Sequence, residues 1–377
     1  MTVNANRIAI FLATSGQSGV DRSAKNLIPA LARRGYEIDL LKVEKHGPNL
    51  VDTPPGVRVV ELGSSHVYSS IPQVVRYLRR ERPAVLFAGK DRVNRAALFS
   101  YWLARAFGTR LVFWVGTPVS QELSHRSVLK RWSHRFWMRI WYRYPEEIVV
   151  DSPGVADDLR AYAALGDKRM TVVPHAVIPS ELLAHRPAPP EHPWLLQKNV
   201  PVVLGAGELS AGKDHPTLIK AFARVRASRP CKLIILGKGK MLESLRELAN
   251  ELGVGGDVDF PGFRGDIYAF MAHADVFALT SVREGLSFVL IEALACGTPV
   301  VSTDCPVGPR AVLQGGRYGP LVKVGDAAAV AAAIVQVMDS PPDAAYLRQA
   351  ASGYEINSAA GAWLRAVGLP DRETVSR

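Results

Sequence analysis

The 377 residues hold 46 Lys and Arg against 35 Asp and Glu, a formal net charge of +11, with 48% hydrophobic and 21% charged residues. That composition is ordinary for a globular protein and leaves room for two or three domains with proper cores. The three cysteines, Cys231, Cys296 and Cys305, form no CxxC pair, which excludes a disulfide scaffold and fits a reducing compartment, and the basic excess favours anionic partners.

The first apolar run, Ile8 to Ala13 after Arg7, is too short for a signal peptide or a spanning helix and reads as a buried strand. No later stretch approaches ~18 uninterrupted apolar residues. A cytoplasmic chain is expected, with a peripheral place on the inner face of the cell membrane as an open addition. The strand leads into Thr14-Ser-Gly-Gln-Ser-Gly-Val20. Small residues at Gly16, Ser18 and Gly19 would let backbone amides approach a phosphate or sugar at a helix start; they equally suit a plain βα turn. The next helix stops at Gly35.

Further strands are expected at 37–43, 84–88, 111–115, 147–150 and 171–173, and then at 202–206, 232–236, 258–260, 276–278 and 300–302. Their apolar residues are consecutive rather than alternating, as in parallel strands covered on both faces. The fold class is therefore α/β, two Rossmann-like domains with parallel sheets facing across a cleft. The boundaries are an N-terminal Rossmann-like domain at 1–180, a proline-rich linker at 181–200, a C-terminal Rossmann-like domain at 201–355, and a C-terminal helix and tail at 356–377 that could cross back to the first domain.

Between the strands expected at 111–115 and 147–150 lies HRSVLKRWSHRFWMRIWYRY, residues 125–144, with six Lys or Arg, three Trp and no acid. As a helix it puts Leu129, Trp132, Phe136, Ile140 and Tyr144 on one face. Three readings stay open. The aromatic side packs on the sheet with the arginines in water; or Arg131, Trp132, Arg135 and Trp137 meet an anionic acceptor or a lipid interface; or the segment stacks single-stranded nucleic acid. His175 reads as a residue at the domain boundary rather than a base. The pair Asp257 and Asp259 has metal-like spacing but leads into a strand, so no metal site is expected.

Ser281-Val-Arg-Glu-Gly-Leu-Ser-Phe-Val-Leu-Ile-Glu292 follows the strand at 276–278. Glu284 and Gly285 belong in a loop and Ser287 to Ala295 in a helix, with Glu292 about two turns in. Such carboxylates could hold sugar and ribose hydroxyls. They could also be a helix N-terminal anion and a solvated helix residue.

This segment resembles the Glu-x7-Glu motif of the family 4 retaining glycosyltransferases, which have the GT-B architecture. Gly19-Val-Asp-Arg, Gly207-Glu-Leu-Ser-Ala-Gly-Lys213-Asp, Ile235-Leu-Gly-Lys-Gly239, Phe260-Pro-Gly-Phe263 and Ala295-Cys-Gly-Thr-Pro through Pro309 stand in that family's order. The resemblance implies that Lys213 binds the donor diphosphate, Glu284 the sugar hydroxyls and Glu292 the ribose. The amides of Gly285, Leu286 and Ser287 would meet the phosphates. Gly207, Glu208, Phe263 and Arg264 would complete the donor site, and the Gly16–Gly19 loop would close over the sugar. It further implies a hexosyltransferase that uses a UDP- or GDP-sugar as substrate, needs no cofactor or metal, and acts on a cell-envelope glycan or lipid-linked acceptor, as in polysaccharide or lipopolysaccharide synthesis; no nucleic-acid partner is expected. The chain departs from the family at Glu208, where an arginine is usual, and at Ala311, where glutamate is frequent. These departures keep a non-catalytic nucleotide-sugar-binding or partner subunit as the alternative.

Overall fold

The computed structural model describes residues 3–16, 19–50, 52–123, 126–306 and 308–372. They divide into two compact units, one made of 1–177 with 356–377 and the other of 178–355. The first unit carries β1 (Asn4–Leu12), β2 (Glu37–Lys42), β3 (Val57–Glu61), β4 (Pro83–Gly89), β5 (Arg110–Val115), β6 (Glu147–Val150) and β7 (Met170–Val172). The second carries β8 (Val202–Ala206), β9 (Lys232–Leu236), β10 (Val258–Gly262), β11 (Val276–Leu279), β12 (Val300–Thr303) and β13 (Leu321–Val322).

Both sheets are parallel throughout. Their orders are β3-β2-β1-β4-β5-β6-β7 and β10-β9-β8-β11-β12-β13. Each sheet therefore reverses direction of growth once, between β1 and β4 in the first and between β8 and β11 in the second. Loops leaving the carboxyl ends of two such strands diverge and open a crevice, which is where ligands bind in doubly wound sheets.

Ile8, Ile10 and Leu12 pack with Ile28, Leu31 and Phe87 in the first core, and the helix Ile356–Ala366 adds Trp363 and Leu364 to it. Polar bonds fix the same tail: Arg34 Nη2 donates to the Asn357 carbonyl at 2.7 Å and Tyr36 Oη to that of Pro370 at 2.6 Å. The second core joins Val203, Leu218, Phe222, Ile235 and Ile334.

Two strands were not expected from the pattern. β3, Val-Arg-Val-Val-Glu, is an edge strand with no fully buried residue, and β13 spans only two residues. The segment 181–200, read as a linker, lies inside the second unit. It contributes two short helices, Ser180–Ala184 and Pro193–Leu196, that bury Leu182 and Leu195. His192 Nε2 there bonds Asp259 at 2.9 Å. Prolines excluded long elements from this stretch but did not loosen it. Among the described residues no helix is long and apolar enough to cross a membrane.

Candidate functional site

The crevice of the second sheet holds most of the residues singled out from the sequence. β8 ends at Ala206, so Gly207 and Glu208 open its loop, and Lys213 closes it before the helix His215–Ser228. Asp214 caps that helix: its carboxylate accepts from the Thr217 amide at 3.4 Å and the Thr217 hydroxyl at 2.7 Å. β11 ends at Leu279, and the loop 280–287 follows. Thr280 Oγ1 donates to the carbonyls of Lys213 and Asp214 at 3.2 and 2.9 Å, and the Val282 amide to that of Gly212 at 3.0 Å. The two loops are thus tied at their backbones.

That tie brings together side chains 71 residues apart. Lys213 Nζ donates to Glu284 Oε1 at 2.5 Å, and the Ser281 hydroxyl donates to the same oxygen at 2.7 Å. The Glu284 side chain is nearly buried, at 9% exposed, whereas Lys213 keeps 27%. The pair therefore offers an ammonium to solvent above a fixed carboxylate. Gly308, at the start of the next helix, packs so closely on this loop that a Cβ there would overlap the Gly285 carbonyl. Cys305 lies near the pair, and burial, reinforced by Glu284, pushes its thiol up to about 12. It is a neutral packing residue.

The helix Phe288–Ala295 begins just after Gly285 and Leu286, with Ser287 at its N-cap. Ser287 is buried, and its hydroxyl has no hydrogen-bond partner among the described residues. An N-terminus lined this way offers backbone donors and a partial positive charge to an anion. Glu292 is in the second turn rather than two full turns in, and it is wholly buried, not solvated. Tyr268 Oη donates to Glu292 Oε1 at 3.1 Å. Tyr268 was not singled out from the sequence; its only signal is that it opens the helix Ile267–His273 after Phe263 and Arg264.

Phe263 is 71% exposed beyond β10, and Arg264 holds Asp266 through two bonds of 2.9 Å. Glu208 is exposed and makes no ion pair among the described residues. Arg310 grips Asp304, with Nε to Oδ1 at 3.0 Å. Asp257 is taken by Arg226 and Lys232 at 2.7 and 2.6 Å, which lowers its pKa against the opposing effect of burial. Its metal-like spacing with Asp259 thus serves ion pairing and the His192 bond.

In the first unit, Gly16 has φ +84° and its backbone lies against Gly47, joined by a bridge between Thr14 and Gly47. Gly19 is the first residue of the helix Gly19–Arg33. Ser18 lies outside the described residues, as do His125 and Val307 of the motifs above. At the ends of β5, β6 and β7 a buried network escaped sequence reasoning. Asp151 accepts from Trp114 Nε1 at 2.5 Å and bonds His175 Nε2 at 2.6 Å.

The basic segment forms the helix Val128–Trp141. Of the readings left open for it, packing of this face on the sheet is not what the structure has: Leu129 is 76%, Trp132 65% and Phe136 47% exposed, and Tyr144 beyond the helix is also exposed. Met138 and Tyr142 are the buried anchors. Arg131 and Arg135 are exposed beside Trp132 and Trp137.

Comparison with known proteins agrees across the chain. The family described as Glycosyltransferase Family 4 matches residues 17–181, and that described as Glycosyl transferases group 1 matches 191–353. An N-acetylgalactosaminyltransferase of Campylobacter jejuni, named for a diphospho-undecaprenol-linked acceptor, is 29% identical over 84% of this chain and 86% of its own length. The lipopolysaccharide core glycosyltransferase LpsE of Rhizobium meliloti is 35% identical over 52% of this chain and 55% of its own. Among solved structures, the lipopolysaccharide galactosyltransferase WaaB superposes with TM-score 0.74 at 18% identity over 96% of this chain and 99% of its own. HepE from Anabaena, in complex with UDP, does so with TM-score 0.72 at 18% identity over 96% and 99%.

Proposed function

Since the chain belongs to the family 4 glycosyltransferases of GT-B fold, we propose that it moves a hexose, with retention, from a UDP- or GDP-sugar to a glycan or lipid-linked acceptor of the cell envelope. The observation that carries the site assignment is the Lys213–Glu284 pair at the head of the helix Phe288–Ala295. In this reading Lys213 and the amides from Gly285 to Ser287 stabilise the departing diphosphate, which is where negative charge develops. Glu284 accepts hydroxyls of the donor sugar and Glu292 those of the ribose. Gly207, Phe263 and Arg264 border the nucleotide.

The bond from the anomeric carbon to the diphosphate oxygen breaks, and the acceptor oxygen bonds the same carbon on the same face. The acceptor proton leaves with the diphosphate. Such a route needs no covalent nucleophile; it needs positioning and charge stabilisation. We also infer that no metal is required, so EDTA should leave transfer intact. Loss of transfer restored by Mg²⁺ would overturn that point. Association with the cytoplasmic face of a membrane is part of the same reading, supported by the exposed aromatic and basic side chains of the helix Val128–Trp141.

Exposed Glu208 and the absence of a glutamate at Ala311 favour a second reading, a nucleotide-sugar-binding subunit without turnover. A thermal-shift panel of UDP- and GDP-sugars, followed by donor hydrolysis with the stabilising compound, separates them. A bound donor raises the melting temperature by mass action. Stabilisation with hydrolysis or transfer supports the enzyme; stabilisation without turnover under any acceptor supports the subunit.

A further inference from the structure

The first sheet has its own crevice, between β1 and β4. Beside it, where the helix Asp91–Ala104 leaves β4, a cavity of about 440 Å³ opens towards the helix Val128–Trp141. Arg95, Arg126, Lys130 and His134 line it, with one carboxylate, Asp91. Asp91 is already engaged: its Oδ2 accepts from Arg95 at 2.6 Å and bonds His134 Nε2 at 3.1 Å, and Tyr142 Oη donates to its Oδ1 at 3.3 Å. Those partners hold the carboxyl below its ordinary pKa although burial opposes them. The cavity therefore keeps a cationic excess at neutral pH. Arg95 Nε and His134 Nδ1 are buried and have no hydrogen-bond partner among the described residues. A buried polar atom left unmatched costs about 1–3 kcal/mol; Arg95 Nε, a donor, calls for a ligand oxygen, whereas His134, whose Nε2 donates to Asp91, offers Nδ1 as an acceptor.

The apolar wall is equally defined. Trp137 and Trp141 stack at 4.9 Å, and the Arg95 guanidinium lies 5.5 Å from the Trp141 ring centroid. Leu129 continues this wall into solvent, and Trp132 stacks on Phe136 at 6.0 Å one turn away. Contiguous exposed rings of this kind mark an interaction surface. Cations at the floor and an indole and aliphatic rim match a molecule with a phosphate head and a hydrocarbon chain.

We propose that this cavity binds the phosphate of an amphipathic lipid acceptor, with Arg95, Arg126 and Lys130 at the phosphate and Leu129, Trp137 and Trp141 along its chain. The assignment rests on reading the protein as a sugar transferase and supplies its acceptor class.

The test titrates the full chain with farnesyl diphosphate, inorganic pyrophosphate and farnesol, following tryptophan fluorescence and heat. Farnesyl diphosphate should bind at least ten-fold more tightly than pyrophosphate, and farnesol should not saturate. Arg126→Ala/Lys130→Ala, both at exposed positions, should weaken farnesyl diphosphate ten-fold or more. Trp137→Ala should weaken farnesyl diphosphate while sparing pyrophosphate. Unchanged affinity in the double variant overturns the proposal, and equal affinity for pyrophosphate assigns the cavity to free phosphate and overturns the lipid part. Should phosphatidylglycerol vesicles hold the wild type while farnesyl diphosphate does not bind, the helix is a general membrane anchor and the proposal falls. Nucleotide-sugar stabilisation, read on the same samples, is independent: its absence would sink the transferase reading while leaving the lipid result to stand.

Discussion

Replacing Glu284 by Gln should tighten the binding of a bare nucleoside diphosphate while abolishing sugar transfer. Lys213 Nζ sits 2.5 Å from Glu284 Oε1. A phosphate oxygen bonded to the other side of the same ammonium, at about 2.8 Å, would stand roughly 4–5 Å from the carboxylate. Two unit charges at that separation repel by about 4 kcal/mol at an effective dielectric of about 20. Lys213 keeps 27% of its side chain in water, and screening of that order leaves about 1 kcal/mol, or roughly five-fold in affinity. Glutamine keeps the shape and can still accept from Ser281, so the fold should lose only about 1 kcal/mol. Calorimetric titration with UDP and GDP measures the first effect, and initial rates with the matching sugar donor the second. If the variant binds the diphosphate more weakly than wild type, Lys213 does not hold the phosphates as argued. If it transfers sugar undiminished, Glu284 does not touch the donor.

Three further outcomes are expected. Tyr268→Phe removes the hydroxyl that orients Glu292 at 3.1 Å; donor KM should rise by a few-fold, and urea unfolding should register a loss of about 0.5–1.5 kcal/mol for the one hydrogen bond. Trp363→Ala empties a site 2% exposed against Phe87; it should cost about 3–5 kcal/mol of stability in denaturant titration. Burial lowers His215 from 6.5 to about 4. The unfolded chain then binds the extra proton across that window, so stability is full above about pH 6.5 and falls as pH drops towards 4, by at most about 3 kcal/mol. His215→Leu should flatten that part of the profile; an unchanged slope in the variant would show that another group carries it.

Legibility in the sequence followed burial. β8, Val-Val-Leu-Gly-Ala, is covered on both faces, and its consecutive apolar residues announce it. β3 lies at the edge, so Arg58 and Glu61 interrupt the pattern and the strand hides. Glu284 and Gly285 could be placed in a loop from their position after an apolar run. That Lys213 meets Glu284 could not, because the meeting depends on the backbone ties of Thr280 and Val282 to a loop 66 to 70 residues earlier. The Trp114–Asp151–His175 network was silent for the same reason: its members come from the ends of three strands. The orientation of the basic helix stayed open, since periodicity groups Trp132 with Leu129 and Phe136 but does not say whether that face meets a sheet or water.

The two crevices share an electrostatic design that bears on turnover. Lys213 is held by Glu284 and Arg95 by Asp91. Each cation is fixed before any ligand arrives, so an incoming phosphate does not have to freeze a long flexible side chain, a cost of about 0.5–1.5 kcal/mol per residue. Each resident carboxylate also limits how tightly the phosphate is gripped. A transferase must release its diphosphate product, and binding energy spread equally over substrate and product slows that release without speeding chemistry. In the proposed reading, carboxylates beside the phosphate cations trade ground-state affinity for departure. The rise in diphosphate affinity expected of Glu284→Gln should therefore appear chiefly as a slower off-rate, measurable by displacement kinetics. A variant that gains affinity through a faster on-rate alone would break this link between the ion pair and product release.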